Sequence, residues 1–304
     1  MGISVLGPLE VGKDSALGPR DRIALAVLAM HVGQWVTPDR LADAVWGEVP
    51  PKSWNKVVQG AIVRLRRALG PTAIVTVGGG YRLTLDEDDV DARKFERLLN
   101  RARGMAQGDP ERAAGVYDQA LALWRGRPLP ELDGWPPGVA EAARLEELRR
   151  CAQEDRLESL LAAGQHRLTV AQAEMLTAEE PLRERRWAIL ALAQYRDGRQ
   201  GEALRTIARA RRTLAEQLGL DPGSDLVTLE KAILRQDAGL STPALAHPRV
   251  AREDCPYLGL VTFDVGDAES FFGRDEEIAR CLRRLTEVSL LAIVGASGSG
   301  KSSL

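Results

Sequence analysis

A mostly α-helical chain with small β elements (α+β) is the fold class the sequence predicts, and three observations predict it. Helix-forming runs with capping residues recur along the 304 residues; β-rich stretches cluster around a triple glycine; and the stretch from Val90 to Leu240 is dominated by Ala, Leu, Arg and Glu with glycine corners. The first helix is expected from Arg20 to Met30. Thr37-Pro38 supplies an N-cap and first-turn pair for a second, short helix, whose apolar face is Leu41, Ala44 and Val45 and whose end is Gly47. A Pro-Pro turn then leads into a longer helix, Ser53 to Leu69. "IVTVGGGYRL" follows, two β-rich segments around three glycines, which is a hairpin pattern. Helix, helix, basic helix, hairpin is the order of a winged helix-turn-helix.

The long helix carries the functional argument. At about 100° per residue, Trp54, Val58, Ala61, Ile62, Leu65 and Leu69 form an apolar stripe. Lys56, Gly60, Val63 and Arg67 lie opposite it, flanked by Gln59, Arg64 and Arg66, with no acidic residue between Lys52 and Gly70. Cations suit phosphates, Gln59 suits a base edge, and Val63 suits a thymine methyl group. Gly60 costs helix stability relative to alanine but permits close approach of the nucleic acid. A solvated bundle helix can carry such a face too. The preceding helix-turn and the following hairpin decide for double-stranded DNA. Thr37 and the hairpin residues Gly79, Tyr81 and Arg82 complete the expected contact set.

The segments "VLGPLEV", "VTPDRLADAVWG", "RLRRALG", "GGGYRL", "ALALWRGRPLPEL", "ARLEELR" and "TLAEQLGLDPG" span most of the first 240 residues. Together they resemble the antibiotic-regulatory-protein (SARP) activators of actinobacteria, whose DNA-binding part is of the OmpR type. The resemblance implies an N-terminal β-sheet, the winged helix, and a helical transcriptional-activation domain that helps recruit RNA polymerase. It also implies tandem protomers, a homodimer on direct repeats of promoter DNA. "WNKVVQGAIV" is less polar than the family pattern, so the bases read are not carried over.

Composition sets bounds. A net charge of −2 means that DNA affinity must come from local asymmetry: basic at 52–67, acidic at Asp86 to Asp91, the latter expected to be a solvated interdomain loop. Cys151, Cys255 and Cys281 have no metal-ligand spacing, and their odd number argues against a disulfide framework. No signal peptide opens the chain and no apolar run spans a bilayer, so a cytoplasmic protein without membrane contact is expected. His31 and His166 are isolated and read as packed or surface residues, and no hydrolytic constellation is present. The chain is therefore not expected to be an enzyme.

Residues 90–240 read as a tetratricopeptide-like α-solenoid. Trp187, Leu190 and Ala191 precede a Gly198-Arg199-Gln200 corner, and Ala203, Ile207 and Ala210 follow it. A similar corner at Gly164 lies one repeat period, about 34 residues, upstream. Gln194 stands where such repeats carry an aromatic. A further helix is expected from Asp109-Pro110 to Trp124. Stacked helix pairs of this kind serve protein contact.

The expected organisation is then 1–85 winged helix, 90–240 activation domain, 241–256 Pro-containing linker, and 257–304 a truncated P-loop α/β segment. "GASGSGKS" matches G-x-x-x-x-G-K-[S/T] directly after an apolar strand. Backbone N–H groups at Gly295, Gly298 and Gly300 would surround phosphate, with Lys301 neutralising it and Ser302 holding Mg²⁺. "FFGRDEEI" with "LLAIVGASGSGKSSL" resembles the signal-transducing STAND-type NTPases. Only the first strand and loop are present, so a fragment or a truncated product is expected, with a vestigial nucleotide site and no required cofactor. ATP and Mg²⁺ would matter only with a full NTPase domain. The rival to a transcriptional activator is an ATP-dependent STAND signalling NTPase that carries an attached DNA-binding module.

Overall fold

The computed structural model describes residues 2–12, 17–240 and 275–286. The chain divides into two compact units, Met1–Ala244 and Leu245–Leu304. In the second, the described element is one helix, α11 (Asp275–Leu285). The expected linker and P-loop, including Gly295, Gly298, Gly300, Lys301 and Ser302, lie outside the described residues.

The first unit opens with a short antiparallel pair, β1 (Ile3–Ser4) and β2 (Glu10–Val11), the small sheet that the family resemblance implied. Helix α1 (Pro19–Met30) starts on a proline, and Ala24 to Ala29 are all buried. It is accordingly apolar on every side, as suits a helix surrounded by others. Helix α2 (Pro38–Trp46) is capped by Thr37, whose hydroxyl accepts from Arg40 N at 3.3 Å, and it ends at Gly47. Helix α3 runs Trp54–Leu69 and buries Val58, Ala61, Ile62, Leu65 and Leu69, the expected stripe, with Trp54 half-buried beside it.

Strands β3 (Ile74–Val77) and β4 (Gly80–Leu83) pair antiparallel across a Gly78-Gly79 loop. Both loop glycines have positive φ, +53° and +90°, which a two-residue turn matching the twist of its strands requires. Tyr81 exchanges two 2.9 Å backbone hydrogen bonds with Val36, so the chain entering α2 adds a third partner to the hairpin.

The helices that follow are α4 (Asp91–Met105), α5 (Pro110–Leu121), α6 (Pro136–Ala162), α7 (His166–Glu179), α8 (Glu184–Arg196), α9 (Gln200–Leu218) and α10 (Ser224–Arg235). Asp109 caps α5 by accepting from Arg112 N at 3.0 Å, and α5 ends at Leu121, three residues short of the expected Trp124. Trp187, Ala191, Ala203, Ile207 and Ala210 are buried in one cluster with α10, and Leu190 lies in the cluster beside it. Gln194 occupies the aromatic position by accepting the Thr206 hydroxyl at 2.8 Å, so its buried oxygen is satisfied across the helix pair.

A single buried cluster runs from Ile3 through α1–α3 into α4, α5 and the start of α6. Polar clasps reinforce it. Asp91 accepts from Val5 N at 2.7 Å and Leu6 N at 3.1 Å. Glu131 accepts from Leu9 N at 2.8 Å and from Arg22 at 2.6 Å. The expected solvated acidic loop at 86–91 keeps Asp86 and Asp88 exposed and is corrected at its end, Asp91. Its last residue is buried because two backbone N–H groups need an acceptor there. Burial pushes the Asp91 carboxyl upward, opposed by those hydrogen bonds and by Arg125. Asp43 in α2 accepts from the Trp135 indole at 2.7 Å, which joins the second helix to the start of α6.

Candidate nucleic-acid interface

Helix α3 is 16 residues long, about 24 Å at 1.5 Å per residue, and of a width that the major groove admits. Its outer face presents Lys56, Gln59, Val63 and Arg67, all exposed, with half-buried Gly60 between them. Among the described residues none forms a hydrogen bond or ion pair with the side chains of Lys56, Gln59 or Arg67. Their donors are free for a ligand. Val63 is 48% exposed, an apolar side chain left in water amid cations.

Arg64 and Arg66 are placed differently. Arg64 reaches back to the start of α1, where its Nε and Nη2 each donate at 2.7 Å to the buried carboxylate of Asp21. This bidentate pair pushes the guanidinium further up and fixes the angle between α1 and α3. Arg66 donates to Ile74 O at 2.8 Å and to Thr76 Oγ1 at 2.7 Å, so it braces the hairpin against α3. Both arginines position the face; neither is free along it. Periodicity puts a Cα on a face but does not say where a long side chain bends.

In the hairpin, Arg82 is exposed and unpaired among the described residues, and Gly79 is exposed at the tip. Tyr81 is 7% exposed and packs in the core beneath the hairpin. Thr37 caps α2 with its hydroxyl. Two residues were not anticipated. Trp35 is 39% exposed and lies under the hairpin turn. Gly80 passes so close to it that a Cβ there would come within 2.6 Å of Val36 O and 2.8 Å of the Trp35 ring. A tryptophan one residue before a strand-forming valine, opposite a glycine triplet, is the available sequence signal for this contact.

An apolar-cored three-helix unit with a free basic recognition face and an adjoining hairpin is the DNA-binding half of a transcriptional regulator. The family model described as "Transcriptional regulatory protein, C terminal" matches residues 12–83, "Bacterial transcriptional activator domain" matches 90–234, and "Novel STAND NTPase 1" matches 256–304. The chain is 34% identical to the regulatory protein DnrI of Streptomyces peucetius, covering 79% of this chain and 94% of that one. It is 36% identical to the regulatory protein AfsR of Streptomyces coelicolor over 98% of this chain and 30% of the relative. A solved structure of Mycobacterium tuberculosis EmbR in complex with a low-affinity phosphopeptide superposes with a TM-score of 0.73 at 31% identity, covering 77% of this chain and 65% of that one. The chain belongs to the SARP family of transcriptional regulators. It spans 25–30% of the length of the AfsR relatives it matches. No described helix is long and apolar enough to cross a membrane.

Proposed function

We propose that this chain is a sequence-specific DNA-binding transcriptional activator. In this reading α3 lies in the major groove and the Gly78–Arg82 hairpin rests near the minor groove. The α4–α10 solenoid contacts RNA polymerase, and a second protomer binds the adjacent direct repeat. The observation that carries it is the row Lys56, Gln59, Val63 and Arg67, exposed on one helix face with no internal partner for its donors. Binding of this kind takes place in the cytoplasm and needs no cofactor and no catalysis. ATP and Mg²⁺ would enter only through the P-loop, where Lys301 and Ser302 have the matching chemistry and a complete NTPase domain would surround them. The match of residues 256–304 to a STAND NTPase favours, as a second reading, a nucleotide-gated regulator built on the same DNA-binding half.

A mobility-shift titration tests the first reading, with the protein's own upstream DNA against random duplex of equal length. Preference for the upstream DNA is expected, with affinity falling by about 0.9 log units per log unit of salt for each phosphate neutralised. Gln59→Ala should relax preference at one position by about 1–3 kcal/mol, whereas Arg67→Ala should weaken all sequences evenly. Equal affinity for both duplexes would overturn the proposal.

A further inference from the structure

Helix α9 carries Arg205, Arg209 and Arg212 at i, i+4 and i+7, which puts three guanidinium groups on one face. Elsewhere in the solenoid arginines such as Arg103, Arg144, Arg156 and Arg185 each meet a carboxylate. On α9 itself, Arg211 meets Glu230 at 2.6 Å. The three on the shared face form no such close ion pair, although Glu202, one turn before Arg205, faces it. Arg205 donates to Gly201 O at 3.1 Å, Arg209 stacks 5.0 Å from the centroid of the Trp187 ring, and Arg212 has no partner among the described residues. None of these contacts neutralises charge.

The same three line a groove of about 410 Å³ between α7 and α9. Gln194 and Thr206 also line it, with the Gln194 oxygen occupied by the Thr206 hydroxyl. The Gln194 Nε2 is left without a partner among the described residues. Glu174 and Glu202 stand in the wall, Glu202 being paired with Arg199, which Glu174 also faces. With Arg199 counted, four cations face three carboxylates, since Asp197 also stands beside Arg199. What the groove lacks is acceptors and negative charge. Its cations are spread along about 10.5 Å of helix, the length of roughly three extended residues, and alternate side chains of an extended peptide recur at nearly the spacing of Arg205 and Arg209.

We propose that the groove between α7 and α9 is a docking site for an acidic peptide segment of a partner protein, whose carboxylates meet Arg205, Arg209 and Arg212. The proposal goes beyond DNA reading and does not depend on which duplex α3 prefers.

The test uses the 304-residue chain and a short fluorescein-labelled peptide rich in Glu and Asp, read by fluorescence anisotropy, with a Gln/Asn peptide of equal length as control. The acidic peptide alone should bind. The exposed pair Arg205→Glu/Arg212→Glu should weaken it about tenfold, with the melting midpoint and the affinity for upstream duplex unchanged. Arg67→Ala should do the reverse, losing duplex and keeping peptide. Should the double reversal not fold, Arg212→Gln serves in its place and should still weaken the peptide. No binding by the wild type, or peptide affinity untouched by the α9 variants, would overturn the proposal. So would a loss of duplex affinity equal to the loss of peptide, because the stripe would then be a nucleic-acid contact.

Discussion

Helices α1–α3 are held almost wholly by aliphatic packing, whereas α6–α8 add a buried charged cluster to theirs. Around α1 the interior is aliphatic: Leu25, Leu28, Ile62 and Leu65 are almost wholly removed from water, each contributing about 1.5–3 kcal/mol of burial. The one buried carboxylate of α1, Asp21, is taken up by Arg64. Between α6 and α8 a buried charged cluster sits beside the aliphatic one formed by Leu157, Leu161, Ile189 and Leu190. Glu154 is 1% exposed and receives Arg183 at 2.7 Å and Arg186 at 3.2 Å. Arg186, equally buried, also donates to Leu176 O at 2.6 Å. Aliphatic packing forgives the loss of a few atoms in proportion to the space left. A buried ion pair does not, because its surviving partner keeps the full cost of desolvation.

The sharpest way to break this contrast is Glu154→Ala, which should cost about 3 kcal/mol by removing the carboxylate that Arg183 and Arg186 share and leaving Arg186 only Glu180, at 3.3 Å, as a charged partner. Glu154→Leu combined with Arg186→Leu should recover most of that loss. Urea denaturation of both checks it, and a single variant within 1 kcal/mol of wild type would show that the cluster is solvated. Leu25→Ala should cost about 2–5 kcal/mol through the cavity it leaves, with no sensitivity to salt in the same denaturation series. A smaller effect, at least about 1 kcal/mol, is expected from Gly80→Ala, since its methyl group meets a backbone oxygen that cannot step aside. Gly79→Ala, where positive φ is strained but space is open, should disturb DNA binding less than Gly80→Ala. The reverse order in mobility shifts would place the critical contact at the tip.

The smallest effect concerns pH. Burial and nearby Arg40 hold the His31 imidazole below its usual 6.5. Its Nε2 is buried without a hydrogen bond. As pH falls through 6.5 the unfolded chain takes the proton first, so stability declines until the lower folded value is passed. His31→Gln should flatten the melting midpoint between pH 7 and the folded value. An unchanged slope would mean that His31 titrates alike in both states.

The element order from α1 to the hairpin was legible in the residues because its boundaries carry their own chemistry: Thr37-Pro38 starts α2, and Gly78-Gly79 turns the hairpin, whereas the opening β pair was expected only from the family resemblance. The apolar side of α3 was equally legible, since 3.6-residue periodicity is a property of the backbone alone. Its polar side was legible only for side chains that stay where their Cα puts them. Arg64 and Arg66 bend to Asp21 and Ile74, contacts 43 and 8 residues away in the chain, and no local pattern reports that. Trp35 and Gly80 matter to each other across the fold, so neither stands out alone. Asp91 looked like one more solvent-facing acid because Arg125 reaches it from 34 residues away and its hydrogen-bond donors, Val5 and Leu6, contribute only backbone N–H groups. Any residue type supplies those.

That last contact bears on how far the DNA-reading head can be transplanted. Asp91 and Glu131 grip the backbone of residues 5, 6 and 9 without regard to the side chains there. A head from another chain of this architecture could therefore be grafted onto α4–α10 with a different opening sequence, provided that apolar side chains fill the places of Val5, Leu6 and Leu9 in the core and that the loop between its first two strands turns the same N–H groups inward. Grafting fails in the other direction. A body lacking an acid at either position would leave those donors dry, and the head would seat loosely however well its own core was packed.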